Sequence, residues 1–229
     1  MVRRLLVLSA FLLISFVSLA QTSLIAYNSS WKYLDNGIDQ GTSWRALNFN
    51  DATWKTGNGK FGYGIPDAAT VVSYGTNGNK KYITTYFRKA IVINNPAGYS
   101  IYTVKMKRDD GTVLYVNGVE VNRNNMPSTA ITYSTLASTA SDNGTIVQTF
   151  TVPASAFLSG TNIISAEVHQ SAASSTDLAF DLELTATINP TPPPPSSDVL
   201  LTFNSNWKYL DNGTNQGTAW KTTTFNDAS

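Results

Sequence analysis

The chain has 229 residues, 42% of them hydrophobic, with 16 Lys and Arg against 15 Asp and Glu, and no cysteine. So even a balance offers no basic field for a nucleic-acid backbone to find, and disulfides contribute nothing to stability. Thr, Ser, Asn, Gly, Tyr and Val are plentiful and strong helix formers scarce, a composition that favours an all-β extracellular domain.

Arg3 and Arg4 precede the apolar run Leu5 to Leu19, and Ser18-Leu19-Ala20 places small residues where a signal peptidase reads. Residues 1–20 are expected to be a secretory signal peptide. The run falls short of the ~20 residues a bilayer needs, and Gln21 rather than Cys follows, which speaks against a lipoprotein anchor. Secretion or cell-surface display is the corresponding expectation. Without Arg3 and Arg4 the charges stand at 14 basic against 15 acidic.

The stretch Leu24 to Thr53, LIAYNSSWKYLDNGIDQGTSWRALNFNDAT, returns as LLTFNSNWKYLDNGTNQGTAWKTTTFNDAS over Leu200 to Ser229, with 18 identities in 30 positions at a constant offset of 176. Solenoid repeats recur every ~20–50 residues, so a period this long indicates whole domains in tandem. Residues 21–190 are expected to form one complete module and 198–229 the opening of a second. Thr191 to Ser197, TPPPPSS, lies between them; four prolines impose an extended, semi-rigid polyproline spacer. About 32 residues bury too little surface to fold alone, so the second stretch is expected to be disordered or loosely pinned, and the chain to be a fragment of something longer.

Between the two stretches, strands show as period-two alternation. Tyr82 to Asn94 and Tyr99 to Arg108 are two, separated by an Asn95-Pro96-Ala97-Gly98 turn. Asp109-Asp110-Gly111 reads as a tight turn. Thr112 to Arg123, TVLYVNGVEVNR, carries Asn117-Gly118 between β-branched runs, the strongest short hairpin pattern because both central residues of a type I′ turn need positive φ. Thr145 to Val152 and Ile163 to His169 are further strands, with one helical turn over Pro153 to Leu158. Leu178, Phe180, Leu182, Leu184 and Ala186 form one face of a long closing strand. The predicted fold is an antiparallel β-sandwich.

The motif order adds to this. Phe49-Asn50-Asp51-Ala52-Thr53-Trp54, Phe61-Gly62-Tyr63-Gly64, Thr85-Tyr86-Phe87-Arg88-Lys89, Asp109-Asp110-Gly111, Val116-Asn117-Gly118 and Ala166-Glu167-Val168-His169-Gln170 resemble the galactose-binding-like jelly roll. The nearest likeness is to the sugar-binding domains at the front of glycoside hydrolase family 2 enzymes and to accessory modules of secreted bacterial hydrolases, which show F-x-D-x-x-W, W/Y-F/Y-R and V-x-V/L-N-G in this order. The resemblance spans Ser23 to Ile188. It implies a jelly-roll sandwich with an accessory or carbohydrate-binding role and no activity, because the catalytic carboxylates of that family sit in a barrel that nothing here matches.

For catalysis the chain offers one His and no Cys. Glu167 and His169, two apart on a strand, share a face and could act as an acid/base pair; the alternative is a strand-end histidine bonded to its neighbours. HxxxH, zinc Cys/His and GxSxG patterns are absent from the sequence. Asp109 and Asp110 are hard oxygen ligands suited to calcium, similar to the pair in the lectin domain of yeast-type flocculins. They could equally cap backbone N–H groups in a turn. Trp31, Tyr33, Trp44 and Trp54 could stack on sugar rings, or could be core; core is the reading preferred for Trp44, Phe49 and Trp54. Tyr63, Tyr74 and Tyr82, near the glycine-rich loop 75–79, are expected at a ligand-facing edge together with Trp31, Tyr33, Asp109, Asp110 and Asn117. Asn28, Asn143 and Asn212 open glycosylation triplets, which a chain of this composition also produces by chance.

The function expected is a non-catalytic carbohydrate-binding, adhesion or spacer module of a secreted multidomain protein, its partners a glycan and its own covalent neighbours. The alternative is an accessory domain of an exported hydrolase, a glycosidase or metallophosphoesterase, whose catalytic domain lies beyond residue 229.

Overall fold

The computed structural model describes residues 20–139, 143–189 and 201–228. The expected leader and proline spacer fall outside them. The chain separates into two units, residues 1–190 and 191–229.

In the first unit the described residues form β1 Gln21–Ile25, β2 Ser30–Leu34, β3 Lys55–Asn58, β4 Phe61–Tyr63, β5 Thr70–Val71, β6 Thr84–Ile93, β7 Tyr99–Asp109, β8 Gly111–Val116, β9 Val119–Asn124, β10 Val147–Val152, β11 Gly160–His169 and β12 Leu178–Ile188. One sheet runs β10-β7-β12-β4-β5, with β1 also paired to β12; the other runs β3-β2-β6-β11-β8-β9. The pairings are antiparallel apart from β4 with β5. From β5 to β8 and from β9 to β12 the chain crosses between sheets at each step, the winding of a jelly-roll sandwich.

Alternation in the sequence becomes the core between the sheets. Leu178, Phe180, Leu182, Leu184 and Ala186 of β12 face Phe87, Ile91 and Ile93 of β6 and Ile164, Ala166 and Val168 of β11 within one buried cluster. Phe87 stacks on Phe180 at 4.4 Å between ring centres, and Trp31 meets Phe180 edge-on at 5.4 Å. Burying each such side chain stabilises the fold by roughly 1.5–3 kcal/mol. The predicted hairpin closes with Val116 opposite Val119, and Asn117 and Gly118 take φ of 52° and 87°. Pro96–Gly98 and Ala154–Ala156 are single 3-10 turns where turns were expected.

Asp109-Asp110-Gly111 does not join neighbouring strands: Asp109 ends β7 in one sheet and Gly111 opens β8 in the other, so the segment is a crossover. The sheet holding β8 and β11 is also covered on its outer face. Trp44, Trp54, Tyr86, Val113 and Tyr115 form a second buried cluster there, with Phe49, Met126, Ile131 and Tyr133 packed against it.

In the second unit, residues 201–228 are turns and extended chain with one 3-10 turn, Ala219–Lys221. Trp207, Leu210, Trp220, Phe225 and Lys208 line a hollow of about 740 Å³ within this stretch.

Candidate functional site

The outer cover of the β8/β11 sheet is made by two loops, and both are fixed by buried polar groups. The first, residues 35–54, carries Trp44 on the 3-10 turn Ser43–Arg45. Trp44 packs on Trp54, Tyr86 and Tyr115 with ring centres 4.8–6.3 Å away. Beneath it Arg88, on the outward side of β6, is fully buried: Nε donates to Asp51 Oδ2 at 2.9 Å, and Nη1 donates to the carbonyl oxygens of Trp44 and, at 3.1 Å, Ala46. The guanidinium also lies over the Phe49 ring. The F-x-D-x-x-W and Y-F-R motifs are therefore two halves of one clamp.

The second cover, residues 125–139, is tied down by β11 and β6. His169 Nδ1 donates to the Thr135 carbonyl at 2.8 Å and lies 3.1 Å from Thr84 Oγ1, which itself donates to the Tyr133 carbonyl at 2.5 Å. His169 Nε2 lies 3.3 Å from Glu167 Oε2. The other carboxylate oxygen accepts from Tyr115 Oη at 2.5 Å. Burial first, and then the charge of Glu167, push the Tyr115 phenol far above its ordinary range. Glu167 and His169 do share a face, and the histidine does bond its neighbours. What those bonds accomplish is attachment of a loop.

The two covers do not meet over Glu167. They leave a cleft of about 120 Å³ lined by Asp39, Gly41, Thr42 and Arg45 from one loop, Ile131, Thr132 and Tyr133 from the other, and Glu167 as its floor. The Arg45 guanidinium lies over the Tyr115 ring, 4.4 Å from its centre, and its Nε donates to the Thr42 carbonyl. Nothing in the alternation of β11 marks Glu167 as the floor of a cleft.

At one end of the sandwich the predicted tyrosines do come together. Tyr63 and Tyr74 are in ring contact at 5.0 Å, and Tyr82 N–H donates to the Tyr74 carbonyl. Tyr74 is 38% exposed, with Lys81 Nζ 5.5 Å from its ring centre, whereas Tyr63 is buried. Desolvation, followed by the carboxylates of Asp177, Asp110 and Asp109, drives the Tyr63 phenol upward. Tyr82 lies against Gly37 and Gly75 and is half-buried.

The other predicted ligand residues lie elsewhere. Trp31 and Tyr33 face inward from β2 into the core, where no sugar can reach their rings. Asn117 is occupied: its Nδ2 donates to Asn162 Oδ1 and to the Ala156 carbonyl, and its Oδ1 accepts from Ile163 N–H, fastening the hairpin to the loop before β11. Asp110 Oδ2 accepts from Ser171 N–H at 2.8 Å and Ser175 Oγ at 3.0 Å, the capping role that was the alternative to calcium. Among the described residues no three His, Cys, Asp or Glu side chains group to hold a metal ion.

No family model matches the chain, and no curated protein matches it. Among solved structures the chain is similar to a β-glucuronidase from glycoside hydrolase family 2, at 18% identity and a TM-score of 0.49 over 75% of this chain and 18% of that one. It is similar to a β-glucuronidase from an uncultured Clostridium sp. at 10% identity and a TM-score of 0.49, over 76% of this chain and 30% of that one. It is also similar to a family 2 glycosyl hydrolase from Bacteroides cellulosilyticus, at 15% identity and a TM-score of 0.43, over 72% of this chain and 20% of that one. The chain spans 18–30% of the length of these enzymes. The likeness is one of fold.

The clamp and the loop attachment both escaped the sequence reading, for the same reason. Arg88 and Asp51 are 37 residues apart, and His169 and Thr135 are 34 apart, so neither pairing follows from local spacing. The one available cue was Arg88 itself, a charged residue in the middle of a strand otherwise rich in buried types.

Proposed function

We propose that residues 21–190 are a non-catalytic module that binds carbohydrate or acts as an adhesion and spacer unit in an exported multidomain protein. The observation that carries this reading is the use made of the reactive groups. His169 is bound to Thr135 and Arg88 to Asp51, each fastening a loop to a sheet, Asp110 is bound to Ser171 and Ser175, and Glu167 Oε1 accepts from Tyr115 on the neighbouring strand. Catalysis needs such groups turned toward a substrate. Glycan binding needs only a few polar groups and an exposed ring, which the cleft and Tyr74 supply.

The proposal extends to residues 198–229 as the opening of a second copy. Supporting it, Asn204, Gly213 and Gly217 take φ of 69°, 75° and 61°, against 62°, 75° and 57° at Asn28, Gly37 and Gly41, and the 3-10 turn recurs at the same offset. Two weak sites joined in one chain gain avidity without new contacts. Calorimetric titration and pull-down with a broad polysaccharide panel, with and without calcium, test the binding role. Saturable binding supports it, and silence across the panel leaves the spacer role alone.

A second reading, an accessory domain of an exported hydrolase, is favoured by the motif order, which is that of the front domain of family 2 enzymes. Sequencing the gene beyond residue 229 separates the two: a catalytic barrel supports the second reading, and further sandwich copies support the first.

A further inference from the structure

The seam between the two covering loops is an odd place for a carboxylate. Glu167 is only 5% exposed, yet it lines the cleft. Its orientation is set by Tyr115 Oη on Oε1, with His169 Nε2 3.3 Å from Oε2. A carboxylate has about four lone-pair sites, so acceptor capacity remains on the cleft side. Arg45, its guanidinium carbon 4.4 Å from the Tyr115 ring centre, and Thr132 also line the opening, with Ile131 as an apolar wall.

We propose that this cleft is a binding site for one neutral sugar unit of a glycan, taking a hydroxyl-bearing edge between Glu167 as acceptor and Arg45 as donor. The inference rests on the carbohydrate-binding reading above. Charge excludes one class: Glu167 and Asp39, two carboxylates against the single guanidinium of Arg45, repel an anion such as a uronate. Size selects the portion, since about 120 Å³ is small against the ~300–1,000 Å³ that a drug-sized ligand fills. The site accepts one ring edge and leaves the remainder of a chain outside. Gly41 stands at the mouth, where a Cβ would meet nothing within 4 Å, so the entrance is open.

The test is a ¹⁵N-labelled full chain titrated with galactose, glucose, xylose and N-acetylglucosamine, with glucuronate and glucosamine as charged controls. A neutral sugar is expected to shift the amides of Gly41, Thr42, Thr132 and Tyr133 saturably with an affinity in the millimolar range, about −4 kcal/mol by the affinity scale. Arg45→Met keeps the stem over Tyr115, and Glu167→Gln keeps the acceptor for its hydroxyl; each is expected to weaken binding about tenfold, one charge-assisted hydrogen bond. Thr132→Trp fills the opening without touching the buried bonds of Glu167, and is expected to abolish the shifts with the melting temperature unchanged. Absence of saturable shifts with every neutral sugar, larger shifts with either charged control, or binding untouched by Arg45→Met and Thr132→Trp overturns the site. Polysaccharide capture that survives all three variants overturns the site and leaves the binding function standing, whereas no capture by the wild-type chain removes the binding function as well.

Discussion

Residues 24–53 and 200–229 share 18 of 30 positions, yet the described part of the second stretch, 201–228, stands in opposite surroundings. Trp31 is 1% exposed and Trp207 71%; Trp44 is 0% exposed and Trp220 55%. The turns agree between them: the left-handed residues and the 3-10 turn fall at matching places. Local backbone form thus follows from Asn, Gly and the residues around them, because only such residues take positive φ at little cost. Burial does not follow from the stretch itself. It comes from β6, β8 and β12, which bring Tyr86 and Tyr115 against Trp44 and Phe87 and Phe180 into the core with Trp31.

The sharpest way to break this comparison is to truncate the same tryptophan in both stretches. Trp44→Ala removes a ring packed on three others and is expected to lower the sandwich's unfolding free energy by about 3–5 kcal/mol. Trp220→Ala is expected to leave the urea midpoint of the main transition where it was. Equal losses from the two variants would mean that residues 201–228 are packed as the first stretch is.

The acidic partner gives the next contrast. Asp51 meets a buried Arg88, whereas Asp227 meets Lys208 with both side chains largely exposed. Arg88→Ala leaves Asp51 and the Trp44 and Ala46 carbonyls without their donor, and is expected to cost about 3 kcal/mol, the usual result of breaking a buried pair from one side. Asp227→Asn breaks a solvent-screened pair and is expected to change nothing measurable in the same denaturation. Arg88→Met separates packing from charge: a loss as large as that of Arg88→Ala assigns the effect to the lost hydrogen bonds.

These contrasts also mark where sequence reading stops. The period-two pattern of Leu178 to Ala186 and the Asn117-Gly118 turn depend on neighbours a few residues away, and both were legible. The second buried face was not, because Tyr115, Glu167 and His169 alternate with Leu114, Ala166 and Val168 as a solvated face would. Only the loops around Trp44 and Ile131, folded back from elsewhere in the chain, bury them. Asp109-Asp110-Gly111 failed in the same manner: its turn propensity is local, but which strand β8 pairs with is decided by β11. Among the candidate ligand residues, Tyr63 and Tyr74 were placed together by their glycine-rich surroundings. Trp31, Tyr33 and Asn117 could be assigned to the core or to loop attachment only once their partners Phe180, Phe61 and Asn162 were known.

Glycine separates the stretches at smaller scale. Gly37 and Gly213 share φ of 75°, yet a Cβ at Gly37 would intrude on the Tyr82 ring and one at Gly213 would meet nothing within 4 Å. Alanine at either site incurs the left-handed cost of roughly 1–2 kcal/mol, and at position 37 it must also displace Tyr82. Gly37→Ala is expected to lower the melting temperature of the sandwich, and Gly213→Ala to leave it unchanged. Pairing Gly37→Ala with Tyr82→Ala should recover part of the loss if the ring is the obstacle.

The smallest effect concerns Asn28 and Asn204, which hold φ of 62° and 69°. Asn28 N–H is received by the buried carboxylate of Asp181 at 3.2 and 3.3 Å, and Leu182 N–H donates to the same group at 2.9 Å. Desolvation raises the Asp181 pKa above its ordinary value of 3.8, against the pull of those two N–H groups and of Lys107 and Lys60. A carboxyl whose folded pKa lies above its unfolded one keeps its proton longer in the native state, so stability from this group is fully present below the unfolded value and falls as pH rises through the folded one. Asp181→Asn retains an oxygen for both N–H groups and removes the ionisation. Its unfolding free energy is therefore expected to gain on the wild type as pH rises from below 4 toward neutrality, with the two curves parallel above that window. A widening deficit of the variant over the same range would show that the carboxylate charge, once formed, is held by Lys107 and Lys60 more firmly than burial opposes it.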